Sequence, residues 1–296
     1  MVDYISSMPP TLPASAAPLL TRPLVAVMSS GFFGFFAHAG FLQALEDLGI
    51  VPDAYAGTSS GALVAAFAAA GMTPARMMGH FLTLETKDFW DPPSRAALLR
   101  LALRRLRGAQ GYLRGEAFGR LLEKFLPVRD FEELPRPCLM VALDLVRKER
   151  VVLDQGPLVP AIRASGAVPM MFEPVRLDGR LLVDGGLVDK APLLPALERF
   201  QPASLVVHLL PSSSLEKPLE TALHQPFTPF RLQARAIDAA RQQTYQDHLD
   251  LCRAKGIGVS EVRQEGIMRV GPRRLAQGPQ AFESARRVAL ACLQQK

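Results

Sequence analysis

The pattern that most constrains the fold of this chain is a strand, a loop and a helix, which occurs twice within about fifty residues. Pro23–Met28 is a short apolar run rich in β-forming residues, and the glycine-containing loop Ser29–Gly34 follows it. His38–Leu48 has helical spacing and stops at a glycine, a common helix end. The apolar run Asp53–Ala56 and the small-residue segment Ala62–Ala70 repeat the unit. This alternation predicts a three-layer α/β fold, in which a mainly parallel central sheet carries helices on both faces.

The 296 residues are predicted to form one domain after a flexible tail. Hydrophobic residues make up 49% of the chain and charged residues 21%, as in a globular protein that buries a sizeable core. Residues 1–22 contain several prolines and form the predicted tail, whereas no repeat or linker divides residues 23–296. Within this single domain we expect a motif-bearing core over about 24–210, a helical insertion over about 94–126 and closing helices over about 231–296.

Charge and cysteine content indicate a protein of a reducing compartment. The net charge of +6 fits an anionic surface without requiring one, and no nucleic-acid partner is expected. Three widely spaced cysteines suggest neither a disulfide framework nor a metal site. The N-terminus lacks the basic start and apolar run of a signal peptide, and no unbroken run of about 18 apolar residues occurs. We therefore expect a cytoplasmic protein, with peripheral membrane contact as a further option; the sequence indicates no oligomeric state.

The segment Ser94–Leu126 is basic and has helical spacing. Its arginines at positions 95, 100, 104, 105, 107 and 114 alternate with leucines. One interpretation is a surface helix whose arginine stems cover apolar side chains while the charged ends reach water. The other is a lid or a membrane-docking element, which presents apolar and basic groups to the same interface. The sequence leaves both interpretations open.

A serine framed by glycines follows the second predicted strand. The frame consists of Gly57, Thr58, Ser59, Ser60 and Gly61. Glycines two residues on either side of Ser59 remove the Cβ atoms that would clash where a strand turns sharply into a helix. The N-terminal end of that helix favours negative charge developing on the serine oxygen. The pattern predicts that Ser59 is a nucleophile; a serine that only caps the helix is the alternative.

The loop Ser29–Gly34, with the sequence SSGFFG, lies between a strand and a helix, where backbone amides can bind an anion. It does not match a dinucleotide-binding fingerprint, because Ser29 stands at the first required glycine. As an oxyanion loop it would offer the amides of Gly31, Phe32, Phe33 and Gly34. The phenylalanines at positions 32, 33, 35 and 36 are candidates for an acyl-chain pocket, although core packing explains at least two of them.

No histidine stands where a serine hydrolase would place its base. The five are His38, His80, His208, His224 and His248, and none follows a late strand in a loop. Asp184 is the other candidate, because it ends a predicted hairpin strand and precedes Gly185 and Gly186. Burial would raise its pKa above about 3.9, and a hydrogen bond to Ser59 would orient it for proton transfer. Since Asp-Gly-Gly is also common in turns, these residues alone leave both interpretations open.

Together these motifs resemble the patatin-like phospholipase family over about Leu24–Leu210. The resemblance depends on Gly57–Gly61 as the nucleophile elbow, on Asp184–Gly186 as the motif with the catalytic aspartate, and on Ser29–Gly34 at the oxyanion loop. It implies a Ser59–Asp184 dyad that works without a histidine, a metal or another cofactor. It also implies hydrolysis of fatty-acyl esters through an acyl-enzyme, with a phospholipid or lysophospholipid as the substrate.

Departures from the family loop keep other functions open. The family sequence is usually G-G-G-x-R/K-G, whereas here Ser29 and Ser30 replace two glycines and Phe33 replaces the basic residue. Loss of that charge favours a carboxylesterase or a neutral-lipid lipase, whose substrates carry no phosphate. A non-catalytic protein that docks on membranes through Ser94–Leu126 is the alternative outside the enzymes, and the intact dyad argues against it.

Overall fold

The computed structural model describes residues 20–94, 110–212, 227–264 and 270–294, together with a few isolated positions between these ranges. The predicted N-terminal tail up to residue 19 lies outside the described residues, and so does most of the basic segment before residue 110. His224, one of the five histidines, is also outside them.

A mainly parallel sheet forms the middle layer. The strands of the described residues are β1 (Leu24–Met28), β2 (Ala54–Thr58), β3 (Gly111–Leu113), β4 (Cys138–Asp144), β5 (Glu149–Leu153), β6 (Met170–Phe172), β7 (Val175–Leu177), β8 (Arg180–Asp184), β9 (Ser204–Leu209) and β10 (Gly258–Arg263). All of them except β3 and β6 belong to the central sheet. In the described part of the chain the central sheet has the order β10-β9-β1-β2-β4-β8-β7, and β5 also pairs with β4. Strands β10, β9, β1, β2 and β4 are parallel, whereas β5, β7 and β8 are antiparallel to their neighbours. The predicted mainly parallel sheet is confirmed.

Helices cover both faces of this sheet. They are α1 (Phe35–Asp47), α2 (Ser60–Ala69), α3 (Pro74–Leu82), α4 (Glu116–Phe125), α5 (Leu158–Ser165), α6 (Leu193–Phe200), α7 (Thr228–Ala254) and α8 (Gly278–Gln294). Because successive strand residues point to opposite faces, β1 contributes to two cores. Ala26 and Met28 pack with α1, α2 and α8, whereas Val25 and Val27 pack with α6 and α7. The predicted three-layer α/β fold is confirmed.

The basic segment is not one continuous helix in its described part. β3 lies within it and pairs with β6 in a separate two-stranded sheet, and α4 begins only at Glu116. The two backbones approach closely, since a Cβ on Gly111 would lie 2.3 Å from the carbonyl carbon of Phe172. Gly115 has a φ of +73°, a left-handed conformation that breaks a helix before it. The prediction of a helix through these residues is therefore wrong.

A strand also interrupts the predicted C-terminal helices. After α7, Gly256 adopts a φ of +75° and the chain continues into β10, which pairs with β9 in parallel register. Val259 and Val262 of β10 are buried against the sheet and its helices. The run GVSEVR mixes polar and apolar residues, so its local pattern does not indicate a strand; pairing with β9 determines it. The closing helices predicted over about 231–296 are present as α7 and α8, and β10 between them was not predicted.

Candidate active site

Ser59 lies at a sharp turn between β2 and α2. Its φ is 56° and its ψ is −117°, a backbone conformation that is rare for a serine and found mainly at functional sites. The flanking glycines allow the turn: a Cβ on Gly57 would lie 2.3 Å from the carbonyl oxygen of Gly61, and one on Gly61 would lie 2.2 Å from that of Met28. The glycine frame thus has a steric cause, and the turn projects Ser59 from the carboxyl end of β2.

Strand β4 brings Ser59 and Asp184 together, although 125 positions separate them in the chain. β2 ends with Thr58 opposite Val141 of β4, while β8 runs the other way and ends with Asp184 opposite Ala142. The hydroxyl of Ser59 donates a hydrogen bond of 2.7 Å to Oδ2 of Asp184. The two residues singled out by the sequence therefore form a hydrogen-bonded pair where two strands end along β4.

The turn after Asp184 is as crowded as the elbow. The amide of Gly186 donates a hydrogen bond of 2.6 Å to Oδ1 of Asp184, which orients the carboxylate. A Cβ on Gly185 would lie 2.1 Å from the carbonyl oxygen of Val141, and one on Gly186 would lie 2.8 Å from Cβ of Ser30. Both glycines are therefore required by the close packing of this turn against β4 and the loop after β1.

Burial changes the acid–base properties of Asp184. Because the carboxyl is desolvated, its pKa rises from 3.8 to about 6, although the hydrogen bonds from Ser59 and Gly186 and the charge of Arg241 oppose that rise in pKa. A base with a pKa near neutrality accepts a proton far more readily than an exposed aspartate does, and it is still largely ionised above about pH 7. Asp184 thus has the geometry and the protonation behaviour of a general base.

Ser165, at the end of α5, holds the backbone of Ser59 in place. This residue was not singled out as a site residue from the sequence. Its hydroxyl accepts a hydrogen bond of 2.9 Å from the amide of Ser59 and donates one of 2.7 Å to the carbonyl oxygen of Val141. Ser165 is fully buried, so these bonds satisfy its polar atom. The backbone of Ser59 is thereby tied to β4, the same strand that positions Asp184.

The loop Ser29–Gly34 lies beside the Ser59–Asp184 pair. The amide of Ser30 donates to the carbonyl oxygen of Lys190 at 2.7 Å, and the amide of Gly34 donates to that of Gly31 at 3.1 Å. The prediction that Gly34 is an oxyanion donor is therefore wrong, because its amide already donates to the carbonyl oxygen of Gly31 within the loop. Among the described residues no acceptor is found for the amides of Gly31, Phe32 and Phe33, which remain the candidate donors.

The described histidines do not contact Ser59 or Asp184. His38 and His208 lie behind the loop, with their Nδ1 atoms 2.8 Å apart, and Nε2 of His38 lies 2.8 Å from the carbonyl oxygen of Ser29. Burial lowers the pKa of His38 to about 3 and the pKa of His208 well below its ordinary value. Both imidazoles are therefore neutral, and they support the backbone of the loop through hydrogen bonds.

A largely apolar cavity of about 640 Å³ opens onto the pair. Ser59 and Asp184 line it together with the phenylalanines at positions 32, 33, 35, 67, 81, 89, 118, 125 and 172. Of the four phenylalanines proposed from the sequence, Phe36 does not line the cavity and is completely buried in the core instead. Phe32 is 57% exposed, so one side of the cavity reaches the surface. The space suits a long apolar group whose ester end lies at Ser59.

Fold and site together define an α/β protein in which a serine at a sharp strand–helix turn is hydrogen-bonded to a buried aspartate. The model of the patatin-like phospholipase family matches residues 26–197, more than half of the chain. The chain belongs to this family, which confirms the resemblance of its motifs. No group of three or more metal-binding side chains occurs among the described residues.

Several curated proteins are similar to this chain. An uncharacterized NTE family protein of Mycobacterium tuberculosis is 35% identical over 175 residues, which are 59% of this chain and 45% of that protein. The mouse patatin-like phospholipase domain-containing protein 6 is 29% identical over 60% of this chain and 13% of its own length. Among solved structures, VipD from Legionella pneumophila has a TM-score of 0.49 at 14% identity, covering 92% of this chain and 66% of that chain. The chain thus spans less than half of the mycobacterial relatives.

Proposed function

We propose that the protein hydrolyses fatty-acyl esters through a Ser59–Asp184 dyad. The observation that carries this proposal is the 2.7 Å hydrogen bond from the Ser59 hydroxyl to a buried carboxylate at the edge of an apolar cavity. Membership of the patatin-like phospholipase family supports a lipid as the substrate. Phospholipids and lysophospholipids are the proposed substrate class.

In the first half of the reaction, Asp184 takes the proton of the Ser59 hydroxyl as the serine oxygen attacks the acyl carbonyl carbon. The negative charge that develops on the carbonyl oxygen is stabilised by the amides of Gly31, Phe32 and Phe33. When the bond to the leaving alcohol breaks, Asp184 returns the proton to the alcohol oxygen. The acyl group is then bound covalently to Ser59.

In the second half, a water molecule attacks the acyl carbonyl and gives one proton to Asp184. The bond between the carbonyl carbon and the Ser59 oxygen breaks, and Asp184 passes the proton back to that oxygen. The products are a fatty acid and the free enzyme, so one water is consumed for each ester. Asp184 serves as the base in both halves, and no other titratable group is needed.

Analysis of reaction products tests the substrate class. A mixed lipid extract incubated with wild-type protein should accumulate free fatty acids together with lysophospholipids or deacylated head groups, as measured by mass spectrometry. The Ser59→Ala variant at the same concentration is the matched control and should give no products above background. If neutral lipids or simple esters are consumed while phospholipids are untouched, the carboxylesterase or neutral-lipid lipase alternative, which the uncharged Phe33 favours, replaces the proposal.

The dyad predicts an acid limb in the pH profile. Asp184 acts as a base only when it is ionised, and burial raises its pKa to about 6. The value of kcat/KM should therefore be high above about pH 7 and fall tenfold per pH unit below about pH 6. Initial rates with a short soluble ester, measured over that range in buffers of constant ionic strength, check this. A limb at the ordinary aspartate pKa, near about 4, contradicts a buried base.

Contact with a membrane surface remains a prediction. No helix among the described residues combines the length and apolarity that crossing a bilayer requires. The arginines from position 95 to position 107, on which the docking interpretation depends, lie almost entirely outside the described residues. The exposed ring of Phe32 at the cavity is compatible with lipid entering from that side. The expected cytoplasmic location also remains a prediction.

A further inference from the structure

Arg241 of α7 lies beside the dyad but belongs to none of the motifs that the sequence singled out. Its side chain lines the catalytic cavity and is 19% exposed. The residue stands beyond the region that the family model matches, which ends at residue 197. Its position in the site therefore follows from how α7 packs on the sheet.

Arg241 is connected to the carboxylate of Asp184 by two hydrogen bonds that share Gly186. Nη1 of Arg241 donates a hydrogen bond of 2.9 Å to the carbonyl oxygen of Gly186. The amide of the same glycine donates to Oδ1 of Asp184 at 2.6 Å. The guanidinium thus holds the residue that orients the base. On its other side Nη2 forms an ion pair with Asp238, one turn earlier on α7, which fixes the guanidinium in turn.

We propose that Arg241 is a positioning residue for the dyad, which clamps the turn after Asp184 and places a positive charge beside that turn. The charge of Arg241 lowers the pKa of Asp184 and so favours its ionised form against desolvation. The proposal rests on the proposed Ser59–Asp184 mechanism.

The other charged groups near this turn have partners of their own. Nζ of Lys190 donates to the hydroxyl of Ser212 and to Oε1 of Gln242, each at 3.0 Å. Asp189 pairs with Arg150 at 2.9 Å, and Nδ1 of His248 lies 3.9 Å from the same carboxylate. Asp238 pairs with Arg241 itself. Within the described residues, Arg241 is the charged side chain in contact with the turn that orients Asp184.

Two substitutions at Arg241 separate its charge from its shape. Arg241→Met keeps most of the apolar stem and removes the charge, so the acid limb of kcat/KM should move up by about one pH unit. The kcat well above that limb should fall by about tenfold or more, because the turn loses its clamp, while KM changes little. Arg241→Lys keeps a charge without the planar donor pair, so the limb should stay near the wild-type position while kcat is only partly restored.

Matched variants make the test decisive. Arg253→Met is the same change on the same helix at a residue that pairs with Glu261, away from the cavity, and it should leave the limb in place. Asp238→Asn removes the ion-pair partner that fixes the guanidinium, so kcat above the acid limb should fall as in Arg241→Met, though by less. Should Arg241→Met not fold, the Asp238→Asn and Arg241→Lys profiles decide the question alone.

The outcomes distinguish this inference from the mechanism on which it rests. The proposal is overturned if the limb of a folded Arg241→Met coincides with wild type or if Arg253→Met moves it equally. It is also overturned if a folded Asp238→Asn variant keeps the kcat of the wild type. A wild-type profile without an acid limb near about pH 6 contradicts the Asp184 base itself, whatever Arg241 does.

Discussion

Replacing Asp184 with asparagine should reduce turnover by about 10³-fold or more while the protein stays folded. The amide matches the carboxylate in shape and can still accept the hydrogen bond from Gly186, but it cannot take the proton of Ser59. In a site with a histidine base, an aspartate would only orient the imidazole. Here the carboxylate itself accepts a hydrogen bond of 2.7 Å from the proposed nucleophile, so its loss should remove the proposed base. Initial rates with a short soluble ester measure the effect.

Stability measurements separate this loss from unfolding. The pKa of Asp184 is raised by burial from 3.8 to about 6, so the native state binds its proton more tightly than the unfolded state does. Ionisation of Asp184 therefore lowers the free energy of unfolding by up to about 3 kcal/mol. This destabilisation is absent at low pH and complete above about pH 6. At neutral pH the asparagine variant should consequently be at least as resistant to urea as wild type. A marked drop in the urea midpoint would assign the loss of turnover to misfolding.

Two controls test whether the effect belongs to Asp184 alone. Asp189→Asn makes the same chemical change at a buried carboxyl, which pairs with Arg150 and does not line the cavity. It should retain most of the activity per folded molecule. Single substitutions of the histidines, including His38 and His208 behind the loop, should also leave a working dyad wherever the variant folds. A folded histidine variant as inactive as Asp184→Asn would show that the dyad hypothesis is wrong.

The elbow and the dyad turn were accessible from the sequence because close backbone packing restricts several of their positions to glycine. Gly57, Gly61 and Gly185 stand where any Cβ would clash with nearby backbone, and such requirements leave a local signature. The fold class was accessible for a similar reason, since alternating strands and helices impose a parallel sheet. The pairing of Ser59 with Asp184 was reached only by resemblance, because β4 joins them across distant positions.

What the sequence did not indicate depends on contacts between distant segments. Ser165 and Arg241 form hydrogen bonds with the site from α5 and α7, and the sequence does not show which groups these side chains meet. Gly34 was expected to donate to an oxyanion, but its amide closes the loop onto Gly31, a detail of backbone direction that residue types do not encode. β10 likewise depends on the exposed edge of β9 for its pairing partner.

Replacing Ser59 with alanine should abolish acylation. A fluorophosphonate probe reacts with an activated serine oxygen, so it should label the wild-type protein at Ser59, as located by peptide mass spectrometry. The alanine variant lacks the attacking oxygen but keeps a side chain that tolerates the turn, and it should remain folded and unlabelled. Ester turnover should fall by about 10⁴-fold or more, because the remaining groups bind the substrate without forming the acyl-enzyme.

The neighbouring hydroxyl makes the labelling test specific. Ser60 lines the same cavity one residue further on, so Ser60→Ala removes the neighbouring hydroxyl but leaves the hydrogen bond between Ser59 and Asp184. Probe labelling should persist in that variant. Asp184→Asn should label far more slowly than wild type, because Ser59 remains but its base is lost. Labelling that survives in Ser59→Ala and disappears in Ser60→Ala would move the nucleophile by one residue, and the dyad geometry could not then be the source of the reaction.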